Sequence, residues 1–237
     1  MSIVFSATNA GIAEQARSLA RVDSTQWPTQ KIVNSANNWL DFITGYAIGA
    51  DRRFQWDDTN HTKLPEGTTA LTINQSDYSF LTDEQGNNII TLIGISTLQG
   101  SYYQPLIPVD RKDPSYDVAT FGMVTGTPTQ YDKISDNIIR LDAKPSATVS
   151  SGLKFYFQRT PSYFVAADTT KSPGVSPLLH RGFVIASAYD IALTLGLKNL
   201  QALSVEMQKE EQKMIEYFAV RNMDETFVLS PEPITYE

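Results

Sequence analysis

The chain of 237 residues contains no cysteine and only two histidines, His61 and His180. Without thiols there is no disulfide framework, no thiolate metal cluster and no cysteine nucleophile. Two imidazoles are too few for a multi-histidine metal centre, and no cofactor or metal is expected. Positive charge is also scarce: 19 Lys and Arg face 26 Asp and Glu, a net charge of −7. That balance argues against gripping nucleic acid, because phosphate binding needs a basic footprint. It suits a wall past which DNA slides without being held. Long apolar runs are missing as well. The stretch from Phe183 to Leu195 reads as too short for a bilayer and is interrupted by Asp190. The opening residues lack a basic leader and an apolar core, and carry Glu14, Arg17 and Arg21. The expectation is therefore a soluble protein made in the cytosol, with no membrane partner. The sequons at Asn60 and Asn74 are then chance matches with no glycan implied.

What is present divides into three stretches. From Ala7 to Arg21, Ala10, Ala13, Ala16, Leu19 and Ala20 recur at helical spacing. After Asp23-Ser24-Thr25, with Ser24 or Thr25 as cap candidates, Pro28 sits where a helix can begin. Ile32, Ala36, Trp39, Leu40, Ile43, Ala47 and Ala50 then form one stripe, and Asn34, Asn37, Asn38 and Asp41 fall on the other side. From about Phe54 to Val165 the pattern changes to short alternating runs broken by Gly, Pro, Asn and Asp. Leu71 and Ile73 alternate with Thr, as do Tyr78 and Phe80 with polar neighbours. Ile89 to Leu98 reads as a longer strand, and Asp132 to Asp142 as a hairpin turning at Ser135-Asp136-Asn137. Leu153, Phe155 and Phe157 alternate with Lys154, Tyr156 and Gln158, a two-faced strand. Six to eight short strands of this kind predict a sandwich or barrel.

Helical periodicity returns after Ser172-Pro173-Gly174. Pro177 is placed for a first turn, and Leu178 to Leu195 is apolar nearly all round, so it must be buried on every face until Gly196 ends it. A last helix from Leu200 to about Met223 carries one stripe, Leu200, Leu203, Met207, Met214 and Phe218. Its other side is charged with Glu206, Lys209, Glu210, Glu211 and Lys213. The remainder, Thr226 to Pro233, reads as extended because each proline disfavours helix before it. A helix apolar on every face needs more cover than one neighbouring stripe supplies. The two ends of the chain are therefore expected to pack together as an α+β protein: a discontinuous four-helix bundle (1–53 with 174–223), an inserted β-sandwich or barrel-like module (54–173), and an extended tail (224–237).

Chemistry-bearing patterns are few. Gly122-Met123-Val124-Thr125-Gly126 lacks the Lys-Ser/Thr of a phosphate loop and opens no helix, and no Gly-x-Ser-x-Gly elbow occurs. Asp83 to Asn88 is superficially like a calcium loop, but its Gly is misplaced, so a β-turn is expected. Asp57 and Asp58 beside Trp56 and His61 would suit a glycosidase; adjacent strand residues point to opposite faces, and loop anchoring explains the same residues. His180 next to Arg181 reads as a packing or interface residue rather than a lone base. Tyr102, Tyr103, Tyr116, Phe121 and Tyr131 could form a carbohydrate platform, an interface, or part of a small β core. The stretch from Pro105 to Pro128 reads as a long loop, and binding a partner is the commonest use of such a loop; Tyr116, Phe121 and Met123 are its candidate contacts.

Several segments in order carry a family likeness. These are Arg52-Arg53-Phe54-Gln55-Trp56-Asp57-Asp58-Thr59-Asn60, Leu64-Pro65, Tyr78-Ser79-Phe80, Gly126-Thr127-Pro128-Thr129-Gln130-Tyr131, the strand from Gly152 to Arg159, and Thr169 to Gly174. A helix with His180-Arg181 and Ala186-x-Ala188-Tyr189-Asp190, closing on Leu195-Gly196-Leu197, follows them. Together they resemble the head-to-tail connector proteins of tailed bacteriophages, over roughly Pro28 to Met223. The resemblance implies a structural virion protein without catalytic residues, located in the neck. It would be an adaptor ring of twelve copies joining the portal protein to tail or neck proteins, with DNA passing through its lumen. It further implies a C-terminal segment that docks into the portal, here Phe227, Val228, Leu229, Pro231 and Ile234. A ring needs two complementary flanks on each copy, and the charged side of the last helix and the Asn-rich side of the second are the candidates. The other readings are a carbohydrate- or receptor-binding module of a phage tail, and a hydrolase centred on Asp57 and Asp58.

Overall fold

A computed structural model describes residues 3–6, 11–50, 66–83, 86–109, 111, 117 and 120–221. Four α-helices and several open sheets make it a mixed α+β protein. Helix α1 (Ile12–Ala20) starts at Gly11, where an added Cβ would stand 2.6 Å from the Ser6 Cβ, so only glycine lets the segment around Ser6 pass so closely. It ends at Arg21 in the left-handed region. The turn after it is built by Asp23, whose Oδ1 accepts the amides of Thr25 and Gln26; neither Ser24 nor Thr25 supplies that carboxylate-like acceptor. Helix α2 (Thr29–Ala50) follows Pro28 and buries Ile32, Ala36, Trp39, Leu40, Ile43 and Ala47, the stripe read from the sequence.

Helix α3 (His180–Leu195) follows a 3-10 turn (Pro177–Leu179) and ends at Gly196 in the left-handed region. It packs against α1, α2 and the final helix α4 (Leu200–Arg221). Every residue from Gly182 to Ala188 is buried, as its uniform apolarity requires, but Leu193 and Leu195 in the last turn are exposed. Counted from its 3-10 turn, Pro177–Leu195 is long and apolar enough to cross a membrane, longer than the Phe183–Leu195 stretch read from the sequence; 61% of its apolar window is buried inside the protein, as in a core helix. One apolar cluster joins Phe5, Ile12, Ile32 and Ile43 to Phe164, Phe183, Ile191, Met214 and Phe218. Residues from both ends of the chain thus close a single core.

Between α2 and α3 lie β1 (Glu66–Leu71), β2 (Asp77–Ser79), β3 (Ile89–Gln99), β4 (Tyr102–Pro105), β5 (Ile107–Pro108), β6 (Val124–Thr125), β7 (Gln130–Ser135), β8 (Ile138–Leu141), β9 (Ala143–Lys144) and β10 (Val149–Arg159). They form sheets in the orders β1-β10-β3-β4, β2-β8-β7-β5 and β6-β9. Among its described residues, the stretch from Pro105 to Pro128, which the sequence presents as a loop, contains two two-residue strands, too short for alternation to reveal. The two larger sheets share a second core of Leu71, Tyr78, Phe80, Ile95, Ile139, Leu141, Leu153 and Phe155, with Phe80 and Phe155 ring centroids 4.3 Å apart. The hairpin of β7 and β8 turns where the sequence places it. Two expectations fail for local reasons. Ile73 is exposed because β1 ends at Leu71 and the chain turns at Asn74, which has φ +62°. Gln158 is buried beside Phe157 because register shifts in the pairing with β3 break the two-residue alternation.

Candidate functional site

Most residues that the sequence singles out for chemistry lie outside the described residues: Trp56, Asp57, Asp58 and His61, Tyr116 in the β region, and the tail residues Phe227, Val228, Leu229, Pro231 and Ile234. The others fall in separate places. His180 is 1% exposed; its Nδ1 accepts the Ile3 amide at 3.0 Å, so Nε2 carries the proton that goes to the Val175 carbonyl oxygen, also at 3.0 Å. The imidazole is a two-sided splice between the segment at Ile3 and the entry to α3. Asp83 closes a turn, accepting the Asn87 amide at 2.7 Å and the Asn87 Nδ2 at 3.1 Å. No group of three or more metal-ligating side chains occurs among the described residues.

The tyrosines do not share one open face. Tyr131 is buried in the sheet core, Tyr102 stands exposed on β4, and the Tyr103 hydroxyl donates to the Ser151 carbonyl at 2.7 Å. Tyr103 instead pairs with Lys154, whose Nζ lies 5.7 Å from its ring centroid, 5.3 Å from that of Tyr156 and 2.9 Å from Glu66 Oε2. The Glu66 carboxylate raises the Lys154 pKa and keeps it charged. Met123 is exposed and Phe121 half-buried on the β6 side of the loop.

Both proposed flanks are partly occupied within the chain. On α4, Glu210 is buried and meets Arg181 Nε at 3.7 Å, while Glu206 accepts from Arg181 at 3.1 Å and from Lys209 at 2.7 Å. Lys209 and then Arg181 lower the Glu206 pKa. The charged side is therefore a seam against α3, because Arg181 projects from the one exposed position in the first turns of that helix. On α2, the segment leaving β10 lies over the Asn side: Asn37 bonds the Phe164 backbone, and the Tyr163 hydroxyl donates to Asp41 Oδ1 at 2.6 Å. Asn34 and Asn38 remain exposed.

A binding feature among the described residues is not visible in the sequence. It is a groove of about 530 Å³ between the C-terminal halves of α2 and α4, lined by Asp41, Phe42, Gly45, Tyr46, Gly49, Ile215, Phe218 and Ala219. That volume is within the range of sites that enclose a small ligand or a few side chains. A side chain added at Gly45 or Gly49 would meet nothing within 4 Å, so these glycines leave the floor open. Phe42 and Tyr46 meet edge-on along the rim with centroids 5.0 Å apart, and Phe42 stacks in turn on the buried Trp39 at 5.2 Å. Phe42, Tyr46 and Ile215 are 37%, 40% and 38% exposed, which is unusual for three large apolar side chains in one patch. Among the described lining residues Asp41 alone is charged. A second hollow of about 160 Å³ adjoins it across Phe42 and reaches Trp39, Asp190 and Glu211. The signal that could have found the groove is the spacing of Phe42, Gly45, Tyr46 and Gly49, a second stripe beside the core stripe of the same helix.

No known protein-family model matches the chain, and no curated protein is similar to it.

Proposed function

We propose that the protein is a structural head-to-tail connector: a discontinuous four-helix bundle carrying an inserted β-sandwich-like module, assembled as a ring between a portal and a phage tail. The observation that carries the reading is the shared core of Phe5, Ile12 and Ile32 with Phe164, Phe183 and Met214. Residues before and after the sheets enclose α3 together, so the β region is an excursion from a helical body. This is the layout that the family resemblance implies. The acidic net charge of −7 agrees with a lumen that lets DNA pass.

Exposed apolar surface on the helical body further supports a protein built for protein–protein contact. Besides the groove, Leu193 and Leu195 at the end of α3 and Val205 on α4 stand in solvent at 55%, 44% and 44% exposure. The C-terminal docking segment Phe227 to Ile234 remains part of the proposal.

The test is mass measurement of the purified protein alone and mixed with a portal ring. Conversion of a small species into a large closed assembly on mixing is the expected outcome, and a persistent monomer overturns the reading. Truncation after Met223 is expected to abolish portal binding; undiminished binding overturns the docking role of the tail.

A further inference from the structure

We propose that the groove between α2 and α4 is the resting seat of the chain's own C-terminal segment, taking Phe227, Val228 and Leu229. The inference concerns the isolated protein and does not rest on the connector reading.

Three observations lead to it. The first is position: α4 forms one wall through Ile215 and Ala219 and ends at Arg221, two residues past the last lining position and six before Phe227. The second is reach. Six residue steps separate Arg221 from Phe227, enough for roughly 20 Å of extended chain. The opposite wall, from Phe42 to Gly49, is only about 10 Å long at the helical rise. The third is chemistry. Phe227-Val228-Leu229 is an uninterrupted run of three large apolar side chains, flanked by Asp224 and Glu225 before it and Glu232 after it. Such a run matches a trough with apolar walls, a glycine floor and charge only at Asp41.

Tethering favours this occupant over a second copy of the chain. A segment tethered only six residues from the end of the α4 wall is held at an effective concentration of the order of millimolar, which free molecules do not reach. An apolar groove with half-exposed aromatic rims and an apolar segment attached at its edge are each a liability in water, and seating one in the other removes both. Any partner that takes the tail must then compete with the groove. The groove thereby becomes a latch, opened by the encounter.

The absence of cysteine makes the test clean. Tyr46→Cys with Val228→Cys, in the full chain and under mild oxidation, is expected to close an intramolecular disulfide at least tenfold faster than a control pair. The control is Glu216→Cys with Val228→Cys, because Glu216 is exposed on α4 and outside the groove lining. Gly49→Cys with Val228→Cys repeats the measurement without touching an aromatic, since a side chain there meets nothing within 4 Å. Equal rates for groove and control pairs overturn the proposal. Linkage between molecules in preference to within one also overturns it, and assigns the groove to a second copy.

Discussion

Asn37 and Phe164, 127 positions apart, exchange two hydrogen bonds: Asn37 Nδ2 donates to the Phe164 carbonyl at 3.0 Å, and the Phe164 amide donates to Asn37 Oδ1 at 2.9 Å. A side-chain amide thus acts as a strand partner for the segment that leaves the sheets. Phe164 uses the register so fixed to stack on Phe5 at 4.9 Å and meet Phe183 edge-on at 6.1 Å. Asn37→Ala leaves both backbone groups of Phe164 without these partners, which costs about 1–3 kcal/mol. Denaturant unfolding is expected to show a lower midpoint for this variant, while Asn34→Ala, on the exposed part of the same helix, leaves it unchanged.

Two glycine-to-alanine changes are expected to act with opposite signs. A Cβ at Gly182 would stand 2.8 Å from Trp39 Nε1 and 3.0 Å from its Cζ2, in a core with no slack. Overpacking there outweighs the gain in helix propensity, and Gly182→Ala is expected to destabilise by about 1–3 kcal/mol. At Gly45 the same methyl meets nothing, so Gly45→Ala stabilises α2 by about 0.5–1 kcal/mol. Thermal unfolding of the two variants side by side reads the difference, and Trp39→Phe should soften the cost at Gly182 by shortening the ring.

Tyr163 makes the fold sensitive to alkali. Burial first, then its hydrogen bond to Asp41, raises the phenol from 10.0 to about 12. A group raised on folding contributes stability that is whole below its unfolded value near 10 and is lost as pH climbs through about 12. Tyr163→Phe removes that contribution at neutral pH, so the stability gap between the two proteins is expected to close between pH 10 and 12. Because the side chain is 40% exposed, solvent screens the interaction and the gap is small. Urea midpoints at a series of alkaline pH values measure it.

Asp83 and Arg159 form an ion pair at 3.3 Å with both side chains below a tenth exposed. Arg159 Nη1 makes no hydrogen bond, so the pair holds by charge more than by geometry. Removing one partner strands the other as a buried charge, at about 3–5 kcal/mol for Asp83→Ala. The double change Asp83→Leu with Arg159→Met is expected to recover the part of that loss due to the stranded charge, but not the part due to the two Asn87 bonds to Asp83, in equilibrium unfolding.

Helices were legible because each has one dominant period. Ile32 to Ala47, the uniform apolarity before Gly196 and the stripe ending at Phe218 all fall where hydrophobic spacing places them. Sheet detail was less legible because it depends on partners remote in sequence: nothing around Gln158 announces the register shift that buries it. Arg17 is the sharpest case. It is 3% exposed because its guanidinium reaches the Trp27 carbonyl and Thr29 Oγ1, acceptors supplied by a turn that comes after it. The burial of Glu210 is hidden for a similar reason, since its cation, Arg181, sits on another helix. The candidate site was hidden because a groove is a relation between two helices, and each helix alone shows only a few spare apolar positions.

The order in which the core is completed bears on synthesis. Ile12, Ile32, Leu40 and Ile43 leave the ribosome well before the helix that covers them, which begins at His180, well over a hundred codons later. At ordinary elongation speeds that interval is on the order of ten seconds. During it the nascent N-terminal helices hold uncovered greasy flanks while the sheets are still being made. Productive yield in a cell should therefore depend on holdase chaperones more strongly than refolding of the finished chain does.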